Sequence, residues 1–307
     1  MSSPANTKFN DRLFKVSVIL ILGVALLAGA MILSRYSSIR SDELAYESQG
    51  VIYTADRNGL HIRPVTGSDM EAYSPAWSPD GTRIAFVGQP TNAMGAQFSV
   101  YVLNLSDLQI ERLTKAGDVI AGTLGSPTWS PDGKSIAFAG TIGAGDWKLY
   151  ILDVDTKQLS HLADGLVEPR WSPNGQLIVA DGGGSICVLQ VADRSKQCFV
   201  LVGAEDPEYS FWFQDGSRIG FIGSQPNGIG LYSVALDGSD LQELLSPVPL
   251  GLCDPVWVPN ENFIVLARCE EQAHGLYTLE PGSNRLNQLN SLGFGPWAKS
   301  PTWKPVK

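Results

Sequence analysis

A tryptophan returns along this chain every 40 to 50 residues, roughly, and a period of that size marks units too small to bury their own apolar faces, so that they must stack on their neighbours. Three copies are nearly identical: Pro75-Ala76-Trp77-Ser78-Pro79-Asp80-Gly81, Pro127-Thr128-Trp129-Ser130-Pro131-Asp132-Gly133 and Pro169-Arg170-Trp171-Ser172-Pro173-Asn174-Gly175. Weaker copies surround Trp212 and Trp257, and a last one holds Trp303 four residues from the C-terminal Lys307. Six of the eight tryptophans stand at this position. They are core residues before anything else.

Each copy reads as the hinge of a hairpin. Proline supplies the fixed φ of a turn's second position, aspartate caps the turn, and glycine takes the left-handed conformation that closes it. An apolar strand follows, as in Ile84-Ala85-Phe86, Ile136-Ala137-Phe138 and Leu177-Ile178-Val179. A third strand comes next (Val100-Tyr101-Val102-Leu103, Leu149-Tyr150-Ile151-Leu152), then a more polar fourth, such as Gln158 to Leu162. Four antiparallel strands per repeat make a propeller blade, and the fold expected is an all-β, six-bladed β-propeller. The strand at Trp303 begins a blade with no room to finish. Its missing strands are expected at the other end, with Val51-Ile52-Tyr53 as the second and Leu60-His61-Ile62 as the third. The ring would then close between the N- and C-terminal strands and leave no free edge.

The Pro-x-Trp-Ser-Pro-Asp-Gly phrase with its Ile-Ala-Phe strand resembles the WD40-like repeat of the TolB propellers, and related repeats occur in prolyl oligopeptidase-like peptidases. The resemblance covers residues 50–307. It implies a six-bladed, extracytoplasmic protein-binding module. The tether before the propeller leaves no room for the α/β domain that precedes the propeller in TolB.

Residues 1–40 carry Lys8, Arg12, Lys15, Arg35 and Arg40 against Asp11 alone, although the whole chain has a formal net charge of −9. The acidic part therefore lies beyond residue 40, and an acidic surface argues against a nucleic-acid partner. Val16 to Leu33 is an apolar run interrupted only by Ser17. Such a run is long enough to span a bilayer as a helix. The cations before it favour a cytoplasmic N-terminus. The organisation expected is a cytoplasmic segment 1–15, a single-pass transmembrane signal anchor at 16–34, a tether at 35–49 whose stretch Leu44 to Glu47 could be helical, and the propeller at 50–307. A cleaved signal peptide ending near Ala28-Gly29-Ala30 is the alternative. Either way the propeller is exported.

Catalytic signals are lacking. There is no Gly-x-Ser-x-Gly elbow for a hydrolase, and three histidines are too few for a centre built from imidazole. His61 reads as a packing substitute for the tyrosines of the third strand. Asp153 and Asp155 lack the rest of a calcium loop. No catalytic residue, metal ligand or cofactor is expected, and nothing in the sequence picks out ligands for a cation in the channel. The expected role is a monomeric, membrane-anchored propeller that binds a protein or another envelope component. The rival is a lactonase- or lyase-like enzyme with a metal or polar site in the channel. Candidate binding anchors are Phe98, Trp147, Phe294 and Trp297, aromatics in or beside the loops of the face opposite the Ser-Pro-Asp-Gly turns. Covering the blade ends is their alternative role.

Four cysteines in an exported domain suggest disulfides, with three connectivities open. Cys253 and Cys269 flank one hairpin and Cys187 and Cys198 another, so these two pairs are expected. Four buried thiols are the alternative.

Overall fold

The computed structural model describes residues 43–307, apart from 57–60, 93–96, 116–119, 122–126, 143–144, 249–250, 259–260, 271–272, 290–297 and 306–307. Residues 16–34, Phe294 and Trp297 therefore lie outside the described residues. Among the described residues there is no helix.

Six antiparallel sheets follow one another along the chain as the blades of a propeller. Blade 2 comprises Met70–Trp77, Arg83–Pro90, Ser99–Asn104 and Ile110–Arg112, from the axis outward. Blade 4 comprises Val167–Trp171, Leu177–Gly182, Ser185–Gln190 and Lys196–Phe199. Blade 5 comprises Glu205–Trp212, Arg218–Gln225, Gly228–Ala235 and Gln242–Val248, and blade 6 Leu252–Trp257, Ile264–Glu270, Ala273–Leu279 and Leu286–Gln288. In blade 3, Ile120–Ala121 and Thr128–Trp129 share the innermost position against Ser135–Thr141, followed by Lys148–Asp153 and Leu159–Asp164. Up-and-down connectivity puts the Ser-Pro-Asp-Gly turns on one face of the ring. The links between blades, and those between second and third strands, lie on the other.

The turn residues act as their chemistry demands. Ser78 is buried, its Oγ donates to Asp80 Oδ1 at 2.6 Å, and the Arg83 amide donates back to that Oγ at 2.9 Å. Asp80 Oδ1 also accepts from the Thr82 amide at 3.0 Å, and Gly81 has φ 68°. Ser130 with Asp132, and Ser172 with Asn174, repeat the arrangement. Between sheets the cores are apolar. In four blades a second-strand aromatic stacks on a third-strand tyrosine: Phe86 on Tyr101, Phe138 on Tyr150, Phe221 on Tyr232, and Tyr46 on Tyr53.

That last pair corrects the expected layout of blade 1. Its order is Lys299–Trp303, Leu44–Ser48, Val51–Ala55, Arg63–Pro64. Residues 44–48, expected to end the tether, form its second strand, with Leu44 opposite Trp303 as Ile84 is opposite Trp77. Leu44, Ala45 and Tyr46 are the buried counterparts of Ile84, Ala85 and Phe86. Val51–Ala55 is accordingly the third strand, and Tyr53 fills the tyrosine position assigned to His61. His61 instead is half exposed, with Nδ1 2.8 Å from Asp56 Oδ2. Leu44 and Tyr46 pack into the core shared with blade 6 and Ala45 against Trp77 and Ile84 of blade 2, so a one-residue slip would exchange the two faces and set small against large at each of them. The ring does close between terminal strands, and the Lys304 amide donates to the Glu43 carbonyl at 2.7 Å beside it.

Cys187 and Cys198 stand directly opposite on neighbouring strands of blade 4 and form a disulfide. Cys253 is also disulfide-bonded. The side chain of Cys269, its expected partner, lies outside the described residues. Cys198 belongs to the outermost strand, an edge held by few apolar contacts. Replacing Cys198 with serine is expected to cost about 2–4 kcal/mol. Thermal melts of the Cys198→Ser variant and of reduced and oxidised parent protein check this. A variant as stable as the oxidised parent would show the bond to be dispensable.

Candidate functional site: the central channel

The inner strands are sheet edges, so proline costs them no ladder hydrogen bond. Pro75, Pro169, Pro255 and Pro301 sit two residues before their tryptophans. The residue before each proline is left-handed although it is not glycine: Ser74 has φ 53°, Glu168 53°, Asp254 50° and Ser300 49°. Tyr209 of blade 5 does the same at 56°. The strand register shifts at this point in blades 2, 4, 5 and 6. Backbone strain repeated at one position of successive blades is architectural, and surrounding structure must hold it in place. Here it carries Asp254 and Ser300 into the wall of the channel, where they meet. The Ser300 amide and Oγ both donate to Asp254 Oδ2, at 3.1 and 3.0 Å.

A cavity of about 440 Å³ runs inward from the turn face to these two residues. Its outer wall is made of the repeat itself, the tryptophans and the turn prolines Pro79, Pro131 and Pro173. Its middle is lined by the residue before each tryptophan: Ala76, Thr128, Arg170, Phe211, Val256 and Thr302. Cations steady the tryptophans from outside, with Arg83 over Trp129 at 4.6 Å and Lys304 over Trp77 at 5.4 Å. Phe211 is accommodated because its strand partner is Gly220, where a Cβ would stand 2.2 Å from the phenyl ring.

Arg170 is the one charge in that middle ring, and three carboxylates share it. Glu168 is pushed up to about 8, first by burial, with Arg170 pulling it down and Asp181, Asp254 and Glu208 raising it further. Its Oε2 is buried with no hydrogen-bond partner among the described residues. Asp181 is pushed up to about 7 by burial, against the lowering effect of Ser210 and Arg170. Asp254 is raised by burial, opposed by Arg170 and Ser300. Nearby in blade 1, burial also raises Glu47, which accepts the Gly50 amide at 2.9 Å and lies 3.7 Å from Lys299.

Asp181 explains a break in the repeat. Blade 5 has Ser210 where the other blades have proline. The regained N–H donates to Asp181 Oδ2 at 2.9 Å, and the hydroxyl donates to Oδ1. A carboxylate of blade 4 is thus latched to blade 5 by a residue that could not be proline. None of these acids was anticipated. The available signal was the column three before the tryptophan, which reads Ser74, Ser126, Glu168, Tyr209, Asp254, Ser300. No group of three or more His, Cys, Asp or Glu among the described residues is placed to hold a metal ion.

The loop-face aromatics stand elsewhere. Phe98 is half-buried against the core between blades 2 and 3, its ring 5.7 Å from that of Tyr73. Trp147 is half-buried against the core between blades 3 and 4. Both pack on blade ends, and neither lines the cavity.

A family model described as the TolB beta propeller domain matches residues 34–307. The chain belongs to the TolB beta-propeller family. Among solved structures, TolB from Acinetobacter baumannii superposes with a TM-score of 0.71 at 22% identity, over 90% of this chain and 70% of that one. Among curated proteins, the Tol-Pal system protein TolB of Alcanivorax borkumensis is 33% identical over 27% of this chain and 18% of its own length. The uncharacterized peptidase YuxL of Bacillus subtilis is 31% identical over 38% of this chain and 18% of its own length. The chain thus spans less than a fifth of these two curated relatives.

Proposed function

We propose that this protein is an extracytoplasmic binding module, held to the membrane by residues 16–34, whose propeller receives a segment of a partner protein in the turn-face cavity. The observation that carries this reading is the cavity itself. It is concave and largely apolar, and it has a few convergent polar groups at its floor, which is the usual make-up of a binding site. Membership of the TolB family supports a protein as the ligand. An enzyme of the channel is the second reading, because Glu168 and Asp181 are held near neutrality, a frequent property of catalytic acids.

Photo-cross-linking in native membranes separates the two. A photoreactive residue replacing Phe213, which lines the cavity, is expected to capture one protein. The same residue replacing Val202, 93% exposed on the opposite face, is expected not to capture it. Turnover of a metabolite by the purified chain, with no protein captured at position 213, would refute the binding reading.

A further inference from the structure

Blade 5 departs from the repeat at three places that converge on the cavity. In blades 2, 3 and 4 the residue after the tryptophan is a buried turn serine, Ser78, Ser130 and Ser172. Blade 5 has Phe213 there, on a turn with the same backbone. The Phe213 amide donates to the Arg218 carbonyl at 3.0 Å and Gly216 has φ 70°, against 2.9 Å and 68° in the turn of blade 2. The bonds that the serine hydroxyl makes in the sister turns, to the turn Asp or Asn and from the amide five residues on, are thus given up without a change of turn. The next residue is proline in every other blade and Gln214 here, whose Nε2 donates to the Val258 carbonyl of blade 6 at 2.8 Å. Opposite the residue before the tryptophan, the other blades have alanine or valine, whereas blade 5 has Gly220, which admits Phe211.

We propose, resting on the protein-binding reading, that Phe213 is a specificity-determining residue of the cavity: with Phe211 and Trp257 it receives an uncharged, apolar side chain of the bound partner segment. The three rings form one cluster on the side of the cavity built by blades 5 and 6, and all three line it. Phe211 and Phe213 stack with centroids 6.3 Å apart at 20°, and Trp257 stands edge-on to Phe213 at 5.2 Å and 77°. The Gln214 bond ties the two turns together and so holds Phe213 beside Trp257. The turn serine is lost in blades 6 and 1 as well, but to other ends. Val258 is wholly buried in the core between those two blades, and Lys304 lies over Trp77. Phe213 is the replacement that brings an apolar ring to the cavity surface. A local rule broken in one blade, with the cost borne by its turn, is the mark of a position kept for function.

The walls set the chemistry of the ligand. Among the lining residues the one acid is Asp254 and the one cation is Arg170. Asp254 accepts twice from Ser300, and Arg170 Nη1 donates to the Pro169 carbonyl at 3.0 Å. The two charges balance, so a charged side chain entering here would leave water for tryptophan and proline with no counter-charge to meet it. An apolar side chain is removed from water against three rings, which is favourable in proportion to the area covered. Inner-strand prolines such as Pro75 and Pro301 offer a ligand strand no N–H, and in blade 5 the Ser210 N–H is taken by Asp181. Side-chain burial is left as the main source of affinity. If the Phe213 ring served only to pack blade 5 on blade 6, reverting it to the serine of the sister blades would cost stability and leave ligand affinity alone. The proposed role reverses both expectations.

The test uses the full chain in lipid nanodiscs, labelled with fluorotryptophan, and follows the cavity tryptophans by fluorine NMR. The probes are N-acetyl-leucinamide, the charged N-acetyl-lysinamide and N-acetyl-glycinamide, which has no side chain. The leucine probe is expected to shift the Trp257 signal saturably, with an affinity about tenfold above that of the other two. Phe213→Ser is expected to weaken that affinity about tenfold while melting within a few degrees of the parent, because it regains the turn's hydrogen bonds as it loses the ring. Phe213→Leu keeps an apolar side chain at the site and is expected to bind the leucine probe nearly as the parent does. Equal responses to the three probes, or a Phe213→Ser variant that binds as the parent does, would overturn the proposal. Should Phe213→Ser melt early, the comparison of probes in the parent and in Phe213→Leu decides in its place. Capture of a protein by a photoreactive phenylalanine derivative at position 213, combined with equal responses to the three probes, would retire the apolar anchor and leave the binding reading intact.

Discussion

Removing residues 299–307 is expected to abolish cooperative folding. The deleted segment is the innermost strand of blade 1, paired with Leu44–Ser48 through Leu44 opposite Trp303 and Ala45 opposite Thr302. Trp303 is buried beside Leu44, Tyr46, Val258 and Ala298. Losing an aromatic of this kind costs about 3–5 kcal/mol. Two further losses add to it. Asp254 is stripped of both Ser300 donors, which leaves a carboxylate in the channel wall with less compensation. The second strand of blade 1 becomes an unpaired edge, open to pairing with other chains. A domain with about 5–15 kcal/mol of total stability does not absorb this sum. Calorimetry and size-exclusion chromatography should show no single melting transition and a shift to aggregates. Trp303→Phe keeps the strand and should melt cooperatively at a lower temperature. A truncated chain with the parent's transition would mean that the ring is held closed elsewhere.

The ring was legible in the sequence because its signal repeats. The Trp-Ser-Pro-Asp-Gly phrase marks the end of an inner strand and the turn after it, so blade number, strand order and closure at Trp303 all follow from it. Single-copy features were harder to read. Leu44-Ala45-Tyr46 is the Ile-Ala-Phe strand of blade 1, but it is flanked by Glu43 and Glu47 and has no turn phrase before it. Glu47 reads as a solvated charge, yet it is buried at 2% exposure. Gly203, Pro207 and three acids make residues 203–209 read as a long loop, and Pro247, Pro249 and Gly251 do the same for 245–253. Most of them are strand, since bulges carry the pairing on to Glu205 and Val248. The channel acids were invisible for a different reason. A single Asp or Glu in a β-rich sequence is normally a surface residue. Comparison down the column exposes Asp181 and Glu47 among Val87, Ala139, Ile222 and Ala267, and only the tertiary fold brings Asp181 to Ser210, 29 residues away. Phe98 and Trp147, aromatics outside the repeat, pack half-buried between blades.

The same acids should give the protein an unusual dependence of stability on pH. In an unfolded chain Asp and Glu titrate near ~3.9 and ~4.3. In the folded protein Glu168 holds its proton up to about 8 and Asp181 up to about 7, chiefly because burial disfavours the charged forms. Asp254 and Glu47 are displaced in the same direction. Between those limits the native state binds more protons than the unfolded state, so stability falls as pH rises through the window. Below about pH 4 both states are protonated and the contribution is complete; above about pH 8 both are ionised and it is gone. The turn aspartates act the other way. Asp80 is lowered to about 2 despite some burial, by Ser78, Thr82 and Arg83, and Asp132 is lowered chiefly by Ser130. Their support is present above the unfolded pKa near ~3.9 and is lost as pH falls toward 2. The melting temperature should therefore peak near about pH 5 and decline by several degrees toward pH 9, since 1 kcal/mol moves a domain of this size by about 2–4 °C. Replacing Glu168 with glutamine removes one titration and should flatten the alkaline limb while leaving the acid limb unchanged. Asp181→Asn should flatten it further, at the cost of weakening the latch between blades 4 and 5 at every pH. Scanning calorimetry at unit pH steps measures both limbs. A parent profile that is flat from pH 5 to pH 9, or a Glu168→Gln variant with the parent's alkaline slope, would show that these carboxylates are ionised in the native channel. Their charge would then be met by solvent, with no protons held in the wall.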